Sequence, residues 1–175
     1  MKKRKIAIIL GSESDLKSGQ CVKGLRFLLE QTEKELIEVV GIFIRSLHRN
    51  TEETLALLKE LSALEMDAII IGAGWANHLT GTSDAYLRYE IGNTRSVVVG
   101  VAFEDPKNEA RTRAAIESIV HVPETQVAFH EYVGTEGFTR ACQFAATEEL
   151  PTIKKPEPRK TERFTLIQAI ALAAA

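Results

Sequence analysis

Two short segments, Gly11-Ser12-Glu13-Ser14-Asp15 and Ser46-Leu47-His48-Arg49, carry side chains whose types and spacing suit chemistry on a phosphorylated ligand. In the first, glycine lets the backbone approach a ligand closely, two serine hydroxyls offer donors to phosphate oxygens, and Asp15 is a natural acceptor for ribose hydroxyls. Capping of a helix by Ser14 or Asp15 would account for the same residues without a ligand. In the second, the Arg49 guanidinium is a fork of donors matched to phosphate, and Ser46 adds a hydroxyl. His48 beside them supplies proton exchange near neutral pH, since an imidazole ordinarily titrates near ~6.5. A solvated His-Arg pair on a surface loop is the plainer account of that dipeptide. The third segment, GAGWANHLTG over residues 72–81, adds small residues at Ala73 and Gly74 that suit a backbone folded against a ligand. Next to Leu79 in that segment, His78 could orient a carboxylate or gate a pocket, or merely cap the next helix. Trp75 could stack on a base or pack beneath the loop. None of these glycine runs is the six-residue dinucleotide fingerprint or a P-loop with its lysine. His121 and His130 fall in apolar stretches and read as structural; the four histidines lack metal-ligand spacing, which predicts no metal.

The elements that must position these loops alternate between strand and helix. Lys5–Leu10 is a β-branched run stopped by Gly11, the pattern of a fully buried strand. Val22, Leu25, Leu28 and Leu29 then recur at helical spacing. Residues 37–44 predict a second strand, 67–71 a third, 96–101 a fourth, and 126–133 a weaker fifth. Asn50 with Glu53 three residues on reads as a capping box, opening a helix that buries Leu55, Leu58, Leu61 and Leu64. Further helices are expected over 111–120 and 138–146. Strands joined through single helices pair in parallel by right-handed crossovers, so the fold class is α/β with a doubly wound parallel sheet. Such sheets bind ligands beyond the carboxyl ends of their strands, and the three segments above are the loops at that edge.

The 175 residues suit one domain over 1–150, with a Pro- and Lys-rich connector at 151–160 and an apolar helix over 161–175. That last helix would be poorly stable alone, so it is expected to pack on the body or on a neighbouring subunit. A net charge of −2 gives no electrostatic reason to expect nucleic acid, and no run approaches the ~20 apolar residues of a membrane span. The basic start Met1–Lys5 precedes too short an apolar run for a signal peptide, which reads as a cytoplasmic chain. Cys21 and Cys142 suggest neither a disulfide framework nor a zinc site and are expected to pack as small apolar groups.

Taken together, GSESD at 11–15, SLHR at 46–49 and GAGWANHLTG at 72–81 resemble, in the same order, the motifs of the N5-carboxyaminoimidazole ribonucleotide mutases and their aminoimidazole ribonucleotide carboxylase relatives. Those motifs look like Gly-Ser-x-Ser-Asp, Ser-Ala-His-Arg and Gly-Ala-Gly-Gly-Ala-Ala-His-Leu-Pro-Gly. Ser118-Ile-Val-His-Val-Pro123 also resembles the family's Ser-Ile-Val-Gln-Met-Pro. The resemblance implies a flavodoxin-like three-layer core, a homo-octamer and no cofactor. It implies that Ser12, Ser14 and Asp15 hold phosphate and ribose, with Ser46 and Arg49 completing the cradle. It makes His48 the proton carrier and His78 the border of a carboxylate pocket where carbon dioxide is held. The chain departs from the family's motifs at Leu47, Trp75, Asn77 and Thr80, which leaves the cradle intact and alters the walls around the reacting carbon. The alternatives are a paralogue that carboxylates or decarboxylates a different ribonucleotide, and a non-catalytic nucleotide-binding homologue.

Overall fold

A computed structural model describes residues 3–122, 125–157 and 160–174. Met1, Lys2, Glu124 and Ala175 lie outside the described residues, as do Pro123 of the SIVHVP motif and Pro158 and Arg159 of the connector. Five strands, β1 (Arg4–Leu10), β2 (Ile37–Ile44), β3 (Ala68–Ala73), β4 (Val97–Ala102) and β5 (Val127–Ala128), form one parallel sheet in the order β2-β1-β3-β4-β5. The chain is therefore an α/β protein with a doubly wound parallel sheet.

Strand alternation sorts the core into two faces. Ile6, Ile8 and Leu10 of β1, Ala68 and Ile70 of β3, and Val97, Val99 and Val101 of β4 pack on one side. There they meet helices α2 (Val22–Glu33) and α6 (Gly134–Thr147), which contribute Leu28, Phe138, Ala141, Cys142 and Phe144. Gly24 allows those two helices to touch, because a Cβ there would stand 2.6 Å from the Phe138 ring. Cys21 and Cys142 lie in this layer, and burial pushes the Cys21 thiol up to about 12 and raises Cys142 as well, so both pack as apolar groups. Ala7, Ile9, Ile69, Ile71 and Val98 face the other way, toward α3 (Thr51–Ala63) and α4 (His78–Ala85). A π-helical turn (Tyr86–Ile91) continues α4, and α5 (Glu109–Val120) covers the β4 edge through Ala115 and Ile119.

Several sequence expectations are corrected. The fifth strand is two residues long rather than eight, pairing only with Val99 and Gly100 at the sheet edge. The sixth helix begins at Gly134, four residues before Phe138. The Asn50 carboxamide does not cap α3; its oxygen accepts from the Ser46 backbone N–H at 2.8 Å, tying the second loop to the helix start instead. Leu57, Leu58 and Leu61 form the buried face of α3 while Leu64 is exposed, and Leu29 of α2 also faces solvent. His121 and His130 are surface residues beside Glu117 and Glu131. The terminal helix α7 (Leu166–Ala173) carries a capping box between Thr165 and Gln168, and none of its residues is buried within the chain. Among the described residues no helix is long and apolar enough to cross a membrane.

Candidate functional site

In this strand order the connection after β1 runs outward to β2 while the one after β3 runs the opposite way to β4, which opens a crevice at the carboxyl ends of β1 and β3. A cleft of about 420 Å³ lies there. Gly11, Ser12, Ser14 and Asp15 from the loop after β1, Ser46, His48 and Arg49 from the loop after β2, and Ala73, Gly74, His78 and Leu79 from the third loop all line it. The structure thus gathers every candidate residue of the three segments around one opening. Leu47, Trp75, Ala76 and Asn77 complete its wall.

The first loop is built tightly. The Gly11 N–H donates to the Gly72 carbonyl at 2.9 Å, and a Cβ on Gly11 would stand 2.8 Å from the Ala73 Cβ, so only glycine lets the two loops approach this closely. Ser12, not Ser14 or Asp15, is the N-cap of the short helix α1 (Glu13–Lys17). Its hydroxyl accepts from the Asp15 N–H at 3.2 Å, shares a 2.7 Å hydrogen bond with the Ser14 hydroxyl, and lies 2.8 Å from Asp15 Oδ2. Across the cleft, Arg49 donates to the Gly11 carbonyl at 3.1 Å, so one guanidinium holds the first and second loops together.

Burial raises the Asp15 carboxyl above its usual pKa, against the opposing pull of the Ser12 hydroxyl, the Gly74 and Ser12 N–H groups and the Arg49 charge. The folded state thus favours protonated Asp15. That contribution to stability is complete below the unfolded carboxylate pKa near ~4 and is lost as pH rises through the raised native value. Asp15→Asn removes this titration. Its Tm relative to the parent protein is expected to rise between pH 4 and pH 7, measured by scanning calorimetry at both; a difference that does not change with pH would contradict the assignment.

The two imidazoles meet at the cleft. His48 Nε2 and His78 Nδ1 are 3.3 Å apart, with the rings edge to face. One of those nitrogens must accept, so each ring constrains the tautomer of the other. His78 is the first residue of α4, and Asn77 rather than His78 caps that helix by accepting from the Thr80 N–H at 3.1 Å. The Asn77 side chain also donates to the Val101 carbonyl at 3.0 Å, and its backbone N–H donates to Ser118 Oγ at 2.7 Å. Asn77 and Thr80 therefore depart from the resembling motif as a pair. A proline at position 80 has no N–H to satisfy, whereas a threonine there needs the acceptor that Asn77 provides.

The sequence marks Trp75 as a wall residue but gives no sign of the cation beside it. The Trp75 ring is exposed rather than packed beneath the loop, and the Arg111 guanidinium lies 3.9 Å from its centroid. Arg111 comes from α5 and donates to the Asp105 carboxylate at 3.1 Å. Among the described residues no group of three His, Cys, Asp or Glu side chains clusters as metal ligands would.

Fold and cleft together define a doubly wound α/β protein with an opening at its topological switch point. The chain belongs to the AIR carboxylase family, whose profile matches residues 5–148. Two crystal structures from Treponema denticola share its fold. A PurE2 variant aligns with a TM-score of 0.57 at 20% identity, covering 83% of this chain and 87% of that one. PurE from the same organism aligns with a TM-score of 0.54 at 21% identity, covering 82% and 87%. No curated protein matches the chain.

Proposed function

We propose that this chain is an N5-carboxyaminoimidazole ribonucleotide mutase, moving a carboxylate from the exocyclic nitrogen to C4 of aminoimidazole ribonucleotide in purine biosynthesis. The observation that carries the reading is the His48–His78 pair at 3.3 Å on the wall of a cleft that also holds Ser12, Asp15 and Arg49, in a chain of the AIR carboxylase family. Ser12, Ser14, Ser46 and Arg49 bind the phosphate, and Asp15 accepts from the ribose hydroxyls. Ala73, Gly74 and Leu79 shape the floor for the base and for the carbon dioxide released in transit.

In the reaction, protonated His48 gives its proton to the exocyclic nitrogen as the nitrogen–carboxylate bond breaks. Carbon dioxide leaves, and its electron pair stays with the aminoimidazole. C4 then attacks the trapped carbon dioxide, forming the new carbon–carbon bond, and His48 removes the C4 proton. The histidine ends in the state in which it began, so no net acid, base or cofactor is consumed. General acid and general base roles on one group suit an imidazole working near neutral pH. His78 holds the His48 ring in register and borders the carboxylate. A site that excludes water keeps the carbon dioxide from escaping, which a homo-octamer with subunits closing over the cleft would supply. α7, apolar and uncovered in the single chain, is the segment we assign to a neighbouring subunit. The buried, unpaired thiols suit a cytoplasmic setting.

Incubation with N5-carboxyaminoimidazole ribonucleotide, followed by ultraviolet absorbance and with particle mass from light scattering, tests the reading. Conversion to the C4-carboxylate by an octamer is expected. Nucleotide binding without conversion would favour a paralogue acting on a different heterocycle, a reading that the indole on the cleft wall supports.

A further inference from the structure

Trp75 is the only tryptophan in the chain and lies on the wall of the cleft. Its backbone has φ of 59°, in the left-handed region that a bulky side chain enters only at a cost. Neighbouring groups must hold it there. The Arg111 guanidinium stacks on the ring at 3.9 Å, and Asp105 anchors the same guanidinium at 3.1 Å. Trp75 lines the cleft and Arg111 does not. One face is taken by the guanidinium while the residue as a whole stays 60% exposed. A cation on one face of an indole draws π density toward itself and leaves the other face a better platform for an electron-rich ring.

We infer that Trp75, held by Arg111, is the stacking platform that selects the heterocycle of the ligand whose phosphate and ribose the Ser12, Asp15 and Arg49 side chains bind. The inference rests on the ribonucleotide reading above and adds to it the residue that discriminates the base. The phosphate cradle alone would accept any ribose 5-phosphate; an aromatic platform rewards an electron-rich, planar base and gives nothing to a bare sugar phosphate. Strain at residue 75 is then the cost of aiming the ring, and Asp105 acts through Arg111 to keep the cation in place.

The single tryptophan makes the test direct. The full chain is titrated with aminoimidazole ribonucleotide and with ribose 5-phosphate, and each titration is followed in parallel by calorimetry and by tryptophan emission. Both ligands are expected to bind by calorimetry, and only the nucleotide is expected to quench the emission. Trp75→Gly should weaken the nucleotide about 10-fold and leave ribose 5-phosphate within about 2-fold, while Trp75→Phe retains most of the nucleotide affinity. Arg111→Ala should fall between the parent and Trp75→Gly. Glycine adopts a positive φ without strain, so Trp75→Gly is expected to keep the parent's Tm. Nucleotide binding that leaves the emission unchanged, or a Trp75→Gly variant that loses both ligands equally, would overturn the platform and leave the cradle standing. Failure of both ligands to bind the parent chain would overturn the ribonucleotide reading itself, and the platform with it.

Discussion

His48→Asn is expected to lower kcat by about 10²- to 10⁴-fold while leaving nucleotide affinity within about 10-fold. The asymmetry follows from where the residue sits. The side chains assigned to phosphate and ribose are tied to one another: Arg49 donates to the Gly11 carbonyl, and Ser12 bonds Ser14 and Asp15. His48 bonds to His78 and to none of them. Asparagine retains a polar group beside His78 but cannot exchange a proton near neutral pH, so the ground-state complex survives and the bond-breaking step does not. An interaction that matters only in the transition state appears in kcat and not in binding. Steady-state kinetics with N5-carboxyaminoimidazole ribonucleotide, paired with calorimetric binding of the product, separates the two effects. Unchanged turnover in this variant would remove His48 from the chemistry and leave proton transfer to another group.

The cleft was legible in the sequence because one architectural rule did most of the work. Short β-branched runs at 5–10, 37–44 and 67–71 set the strands, and a doubly wound sheet must present the loops that follow them at one edge. The three loops meet there, and all eleven candidate residues line a single opening. Local chemistry was less well read wherever a side chain had two possible partners. Asn50 has the type and spacing of a cap, yet its carboxamide accepts from Ser46 four residues earlier. The β5 segment has strand-like composition, but an edge position offers it only β4, and pairing stops after Val127 and Ala128. Contacts between distant segments left no periodic signal at all. Ser118 holds Asn77 across 41 residues, and Arg111 reaches the Trp75 loop from α5. A resemblance to a motif could mark Trp75 as a departure, but only the fold shows which cation stabilises it.

The largest expected effect on stability lies away from the cleft. Asp84 and Arg88 are four residues apart, a spacing that on most helices marks a solvated ion pair. Here the two side chains are 1% and 0% exposed and meet at 2.8 Å. The π-helical turn that follows α4 carries Arg88 inward, where Nε donates to Thr125 Oγ1 and the remaining nitrogens donate to the Asn93 and Ser96 carbonyls. Asp84 in turn accepts from the Thr125 N–H at 3.1 Å. The network thus fastens the far end of α4, whose first residue is His78, to the start of β4 and the approach to β5. Arg88→Met leaves the Asp84 carboxylate buried without its cation and strips donors from the buried Ser96 carbonyl and the partly buried Asn93 carbonyl. Breaking one partner of a buried pair costs about 3–5 kcal/mol, against a total stability of about 5–15 kcal/mol for an ordinary domain. A fall in Tm of roughly 10 °C or more is expected by scanning calorimetry. Replacing both partners, in Asp84→Leu/Arg88→Met, should recover much of that loss, because an apolar pair of similar volume needs no counter-charge. If the double variant is no more stable than Arg88→Met, the cost lies in the lost carbonyl donors and Thr125 contacts rather than in an orphaned charge. Either way, the anchoring of α4, and through it the position of His78, depends on an arginine that never reaches the cleft.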